Sequence, residues 1–270
     1  MLDLHSHILP GLDDGAADNE QALAMARLAV ADGIKEVVCT PHWTASQYEN
    51  TRLKVMESVA DFGRLLEREG IPLKVYPGSE LRVDSDLPGK IESREILTLN
   101  DTGRFALVEL HAAMVPHHIE HLFWEMQLID VTPILAHPER NAVMMRDPAR
   151  LSAWVEMGVL LQVTTSSILG RFGPEAQRFS TLLLEHNMVH ILASDSHGLK
   201  SRQPRLSAGV RAAEKIAGVD AARQMVDKTP RKIIAGEPIS IPDPIPIGKQ
   251  SLNPSIFKKF FSFLKATAAS

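Results

Sequence analysis

The sequence predicts an α/β fold, a parallel strand-helix barrel in a single domain, and three observations carry that prediction. Short apolar or β-branched runs alternate with longer helical patterns, the signature of βαβ units and a parallel sheet. About seven such repeats can be counted, enough to close or nearly close a barrel rather than leave an open sheet. With 270 residues and 44% hydrophobic content, the chain has the length for one large core.

Taken in order, the first strand is predicted at residues 2–5. A helix follows, opened by Asp18 with Gln21 three positions on, as in a capping box, and closed by Gly33 as a C′ glycine. Further strands are predicted at 36–40, 73–77, 105–110, 133–137, 159–164 and 189–195. Asp147-Pro148 opens another helix and Gly158 closes it. From about Glu237 the character changes. Residues 239–248 are rich in proline, which predicts an extended linker or a strap across the surface. The barrel is therefore assigned to 1–238, and 239–270 to the linker and a basic amphipathic C-terminal helix. In that helix Ile256, Phe257, Phe260, Phe261 and Leu264 fall at helical spacing, with Lys258, Lys259 and Lys265 elsewhere on the wheel. Such a helix packs on its own barrel or a second subunit, or meets a membrane surface or a partner protein.

Composition narrows the function. Lys and Arg total 29 against 33 Asp and Glu, a net charge of −4, so no general basic field exists for gripping nucleic acid. Cys39 is the only cysteine, so no intramolecular disulfide forms. The start of the chain lacks the basic and apolar regions of a signal peptide, and no apolar run reaches bilayer-spanning length. These features predict a cytoplasmic protein, with a peripheral position at the inner face of the membrane left open by the C-terminal helix.

Chemistry collects at the strand ends. In a parallel barrel these ends converge on one mouth, however far apart they lie in sequence. The first strand runs into His5-Ser6-His7, two imidazoles at i and i+2 on one face of an extended chain, with Asp13 and Asp14 following. Later strands end in Thr40-Pro41-His42, Gly78-Ser79-Glu80, Val108-Glu109, Ala136-His137-Pro138-Glu139-Arg140 and Ser194-Asp195-Ser196-His197. Carboxylates and imidazoles crowded into one cleft repel and resist desolvation unless cations neutralise them. Mixed nitrogen and oxygen donors without thiolates suit Mn, Fe or Zn.

These motifs, in this order and spacing, resemble the PHP (polymerase and histidinol phosphatase) superfamily, and within it the manganese-dependent bacterial protein-tyrosine phosphatases of capsule and exopolysaccharide clusters. The resemblance spans residues 1 to about 238. It implies a distorted (β/α)7 barrel holding two or three ions, with Mn2+ the expected metal. By position it places one ion on His5, His7, Glu80 and Asp195, a second on Glu80, Glu109 and His137, and a third on Asp14, His42 and His197. Asp13 and Asp14 stay interchangeable at this stage, since a slip of one residue swaps them. Arg140 and Arg202 correspond to the phosphate-gripping arginines; a surface ion pair is the alternative role for Arg202. The implied reaction is attack of a metal-bound hydroxide on the phosphotyrosine of a bacterial tyrosine kinase tail, with an oligomer left open.

Other sequence features fit ordinary roles. A thiol phosphatase needs an arginine six positions after its cysteine, and Ala45 stands there, so Cys39 is read as a core residue. His117, His118 and His121 are expected to face solvent, and His190 to begin a strand away from the mouth. His111 stands near the cleft without a role. Three alternatives remain: a phosphatase for a small phosphomonoester such as histidinol phosphate, a metal-dependent amidohydrolase, and a barrel that only binds a partner.

Overall fold

Every strand pair in the computed structural model is parallel, and the described residues are 1–240 and 242–247. The chain begins with β1 (Leu2–Ser6), α1 (Asn19–Ala31), β2 (Glu36–Cys39), β3 (His42–Trp43), α2 (Arg52–Arg68), β4 (Lys74–Pro77), β5 (Glu80–Arg82) and α3 (Leu87–Glu92). It continues through β6 (Phe105–Glu109), α4 (Ile119–Leu128), β7 (Thr132–Ala136), α5 (Pro148–Glu156), β8 (Leu160–Thr164), α6 (Thr165–Ile168), α7 (Pro174–Glu185) and β9 (Ile191–Ala193). Helices α8 (Ser207–Ala217), α9 (Val219–Gln224) and α10 (Lys228–Ala235) follow. The predicted amphipathic helix at 255–266 lies outside the described residues.

The strands form a three-stranded sheet, β1-β2-β4, and a six-stranded sheet, β3-β5-β6-β7-β8-β9. Each of the seven predicted strands forms, and two short strands that were not predicted, β3 and β5, follow β2 and β4, an addition with a local cause. After β2, Pro41 has no N–H to donate, and after β4 the chain squeezes past Gly78, where a Cβ would stand 2.7 Å from the Val38 side chain. At both points the chain leaves one sheet and enters the other. His42 then pairs with Glu80, and Arg82 with Glu109. The two sheets also meet at β1 and β9, where Asp195 N–H donates to the His5 carbonyl and His7 N–H to the Ser196 carbonyl, both at 2.9 Å. Buried Asp3 ties the same seam, accepting from Ser194 N at 3.0 Å and Ser194 Oγ at 2.5 Å.

Helix α1 starts as expected: the Asp18 carboxylate accepts from Gln21 N at 2.9 Å, and Gln21 Oε1 accepts from Ala17 N at 2.9 Å. Gly33 follows with φ +88°, a conformation costly for any residue with a Cβ. The strands bury two faces. Ala106, Val108, Leu135, Leu161, Val163 and Leu192 join the helices in the larger apolar cluster. The alternate residues Leu2, Leu4, Val38, Phe105, Leu107, Ile134, Leu160 and Ile191 form a second cluster, packed at one end by Ile233 and Ile234 of α10. Continuing the second stripe by steps of two toward the C-terminal strand ends gives Glu109, Gln162, Thr164 and Asp195, so the face turns from apolar to polar there. Past α10 the chain makes no helix or strand among the described residues; Ile245 bonds to His186 through both its N–H and its carbonyl, as a surface strap would.

Candidate metal centre

The polar strand ends meet. His5 Nε2 and His7 Nε2 are 3.2 Å apart, and the pair lies 3.3–3.5 Å from Glu80 Oε2 and Asp195 Oδ1. Four donors about 2.1 Å from a common centre in a tetrahedron are separated by roughly this distance. Glu80 turns its other oxygen to His137 Nε2 at 2.8 Å, and Glu109 Oε1 stands 3.8 Å from the same nitrogen. His42 presents both ring nitrogens: Nδ1 faces Glu80 at 3.0 Å and Glu109 at 3.7 Å, while Nε2 faces Asp14 at 3.4 Å. His197 Nε2 reaches Asp14 at the same 3.4 Å. All nine sequence-predicted residues therefore fall into four overlapping groups whose imidazole and carboxylate atoms lie close enough together to hold a metal ion. His42 joins two of these groups and His137 also stands with His5 and Asp195, contacts that a strict three-way division of ligands leaves out.

The neighbouring acids separate cleanly. Asp13 turns away from the cluster, accepting from His7 Nδ1 at 2.6 Å, His42 N at 2.8 Å and Gly15 N at 2.9 Å. Asp14 is half exposed and faces His42 and His197. The turn is tight: a Cβ on Gly15 would stand 2.0 Å from the His7 carbonyl oxygen.

Two residues at the cluster are held in strained backbone. His137 has φ 34° and Asp195 φ 50°, left-handed conformations that cost a non-glycine residue on the order of 1 kcal/mol or more. Proline at 138 opens a short 3-10 turn, Pro138–Arg140, that carries Arg140 to the rim. Arg140 Nη2 donates to Asp195 Oδ2 and Arg202 Nη2 to Asp195 Oδ1, each at 2.5 Å. Phe172 lies under the Arg140 guanidinium, 4.7 Å from its centre.

Electrostatics mark the cluster as a place for cations. Burial disfavours the charged form of Glu80 and Asp195, yet His5 beside Glu80, and Arg140 and His5 beside Asp195, hold both carboxyls well below their usual range. Glu109 is pushed up to about 7 by burial and by Glu80. Burial and then Arg140 push His137 down to about 4. His42 Nδ1, Glu80 Oε2 and His197 Nε2 are buried without a hydrogen-bond partner. Such atoms are costly unless something else satisfies them, and donors of this chemistry, lone pairs turned toward one another, fit divalent cations.

Several neighbours escaped the sequence reading. Gln162, fully buried, meets His5 Nδ1 at 2.9 Å, Arg82 pairs with Glu109 at 2.9 Å, and Tyr48 stacks on His42. The signal for Gln162 was present, two residues beyond Leu160 on the same face. The other histidines stay outside the cluster: His111, His117, His118 and His121 are exposed, and His190, just before β9, is buried with Nδ1 accepting from Leu161 N at 2.8 Å. Cys39 is buried in the larger apolar cluster.

The tyrosine-protein phosphatase YwqE of Bacillus subtilis is 40% identical over 202 residues, 75% of this chain and 79% of that protein. A crystal structure from work on YwqE from Bacillus subtilis and CpsB from Streptococcus pneumoniae, described as unique metal-dependent tyrosine phosphatases, is similar at TM-score 0.88 and 35% identity. It covers 92% of this chain and 100% of its own. A lactonase from Listeria monocytogenes, 13% identical at TM-score 0.55 over 88% of this chain and 95% of its own, shares the fold alone. Residues 1–235 match the family described as capsular polysaccharide synthesis, CpsB/CapC. With most of its length so matched, the chain belongs to the CpsB/CapC family.

Proposed function

We propose that this chain is a metal-dependent protein-tyrosine phosphatase that hydrolyses phosphotyrosine on a bacterial tyrosine kinase governing capsule or exopolysaccharide synthesis. The observation that carries the reading is the convergence of nine imidazole and carboxylate donors beneath two arginines, in a chain 40% identical to a tyrosine-protein phosphatase.

His5, His7, Glu80 and Asp195 would hold one ion, Glu80, Glu109 and His137 a second, and Asp14, His42 and His197 a third. Manganese suits this oxygen and nitrogen set, as do iron and zinc. Such ions, when bound, lower the pKa of water and neutralise charge developing on phosphoryl oxygens. The chain's own residues do the rest. Glu80, through its two oxygens, ties the first two groups together at one spacing. Asp13 fixes the His7 ring. Arg140 and Arg202, steadied by Asp195, turn their free N–H groups to the phosphate and set it in line for attack. A phenol with pKa about 10 leaves more readily than an alkyl alcohol, so little demand falls on a general acid.

The seven predicted strands, with the short β3 and β5 added and β1 bonded to β9, support a closed and distorted barrel for residues 1–238. Residues 239–270 would serve as linker and surface-binding tail. No helix of the described residues is long and apolar enough to cross a membrane; a cytoplasmic position, with the tail meeting the membrane face or a partner, fits the proposed kinase substrate.

The test is hydrolysis by the Mn2+-loaded protein of p-nitrophenyl phosphate, a phosphotyrosine peptide and histidinol phosphate. Preference for the two aryl phosphates is expected, with loss of turnover in His137→Ala and Asp195→Ala. Failure on every phosphoester with metal occupancy verified would instead favour a binding role, and preference for histidinol phosphate a small-molecule enzyme.

A further inference from the structure

Strand β8 contributes none of the nine donors, yet it passes directly beneath them. Gln162 lies at its centre with no exposed surface. Its backbone is used by the neighbours: its carbonyl accepts from His137 N at 2.8 Å. Its side-chain Oε1 goes elsewhere, to His5 Nδ1 at 2.9 Å. A buried amide in an apolar sheet costs free energy that leucine would not, and the strand ladder does not require it.

The direction of that bond follows from the other side of the ring. His5 Nε2 stands 3.2 Å from His7 Nε2 and 3.3 Å from both Glu80 Oε2 and Asp195 Oδ1. A nitrogen that binds a cation carries no proton, so the ring proton belongs on Nδ1, and only an acceptor can face it. The Gln162 amide oxygen is that acceptor.

We propose that Gln162 is a positioning residue for the metal site: its side-chain carbonyl holds the His5 imidazole in the Nδ1–H form and in the orientation that aims Nε2 at the cation. Through its backbone carbonyl the same residue also fixes the start of the left-handed turn at His137, so one position on β8 orients donors of two neighbouring groups. The proposal rests on the metal-dependent reading above.

Two substitutions separate positioning from packing. Gln162→Leu keeps the volume and removes the acceptor; Gln162→Glu keeps an acceptor at the same reach. Titration calorimetry with Mn2+ on protein stripped of metal should show Gln162→Leu weakened by about 10–100-fold, with Gln162→Glu at or above wild-type affinity. In metal-free protein, the His5 Nδ1–H resonance in 15N-edited spectra should be slow to exchange in the wild type and lost in Gln162→Leu. Wild-type affinity in Gln162→Leu, equal loss in both variants, or no protected Nδ1–H in the wild type would overturn the role of Gln162. Absence of Mn2+, Fe2+ and Zn2+ binding by the wild type would overturn the metal reading itself, and that result is read before any variant is made.

Discussion

Arg140 shows how much one side chain at the rim depends on its neighbours. Asp195 takes one of its N–H groups, Phe172 supports its face, and its Nε is buried without a partner, so its fork is set in place before a phosphate arrives. Replacing it with alanine should lower kcat/KM by about 1.5–3 kcal/mol in transition-state terms, the worth of a hydrogen bond to a charged group, with the metal count per chain unchanged. Lysine restores charge without the two-pronged geometry, so Arg140→Lys should recover little activity; full recovery would show that a point charge suffices. Cys39 makes the opposite case. Its thiol is fully buried and pushed far up by burial, so it stays protonated and out of reach of any substrate. Cys39→Ser should leave kcat unchanged even where stability falls, and a loss of turnover in the folded variant would count against the metal mechanism. The donors were legible because histidines and acids at one strand end after another would repel and stay unsatisfied without a cation between them. Gln162 and Arg82 were not, since a glutamine or arginine in a strand carries no chemistry until its partner is known.

Strands and helices were legible where periodicity was long and punctuation strong, as in α1 with Asp18 and Gly33. The short strands β3 and β5 were not, because two or three residues after Thr40-Pro41 and Gly78-Ser79 are too few to show a period; only the backbone's hydrogen bonds reveal them. The joint of β8 and β9 yields a test of its own. His190 N donates to the Leu161 carbonyl at 3.0 Å, and its ring Nδ1 accepts from Leu161 N at 2.8 Å, so a side chain completes the ladder at the strand start. Burial pushes this imidazole down to about 4, against an unfolded value near 6.5. Between those values the unfolded chain binds a proton that the folded chain refuses, so this contribution is intact above pH 6.5 and drains away as the pH falls toward 4. The full amount is about 3 kcal/mol. In His190→Asn, Oδ1 takes over as acceptor and nothing titrates. Denaturant unfolding across that window should therefore show a shallower acid loss in the variant than in the wild type, and parallel curves would refute the assignment.

At the scale of the whole molecule, the proposed ions join parts that the backbone joins weakly. His5 comes from the three-stranded sheet and His7 directly follows its strand β1, while His42, Glu80 and Glu109 come from the six-stranded one. Direct ties between the sheets at β1 and β9 are few: two backbone bonds, the Ser6–Ser196 hydroxyl pair at 2.7 Å, the Asp3–Ser194 contacts, and the Ser194 hydroxyl donating to the His5 carbonyl at 3.4 Å. Cations held across that seam would act as cross-links, and they would offset the burial, and the repulsion from Glu80, that push Glu109 up to about 7. A ligand bound only by the folded state adds about 2.7 kcal/mol when its free concentration is a hundred times Kd. For a domain of this size each kcal/mol moves the melting temperature by roughly 2–4 °C. Exhaustive chelation should therefore lower Tm by something on the order of 5–10 °C, and readdition of Mn2+ should restore it. Hydrogen exchange should quicken first where the donors stand, at residues 5–15, 137–141 and 195–203, with the helices of the outer layer unmoved. The Asp14→Ala, His197→Ala double variant, which strips the outermost group alone, should lose one ion per chain and a fraction of the Tm shift. An unchanged Tm after verified metal removal would mean that the seam is held by its hydrogen bonds alone, and that the ions, however needed for chemistry, carry no part of the fold.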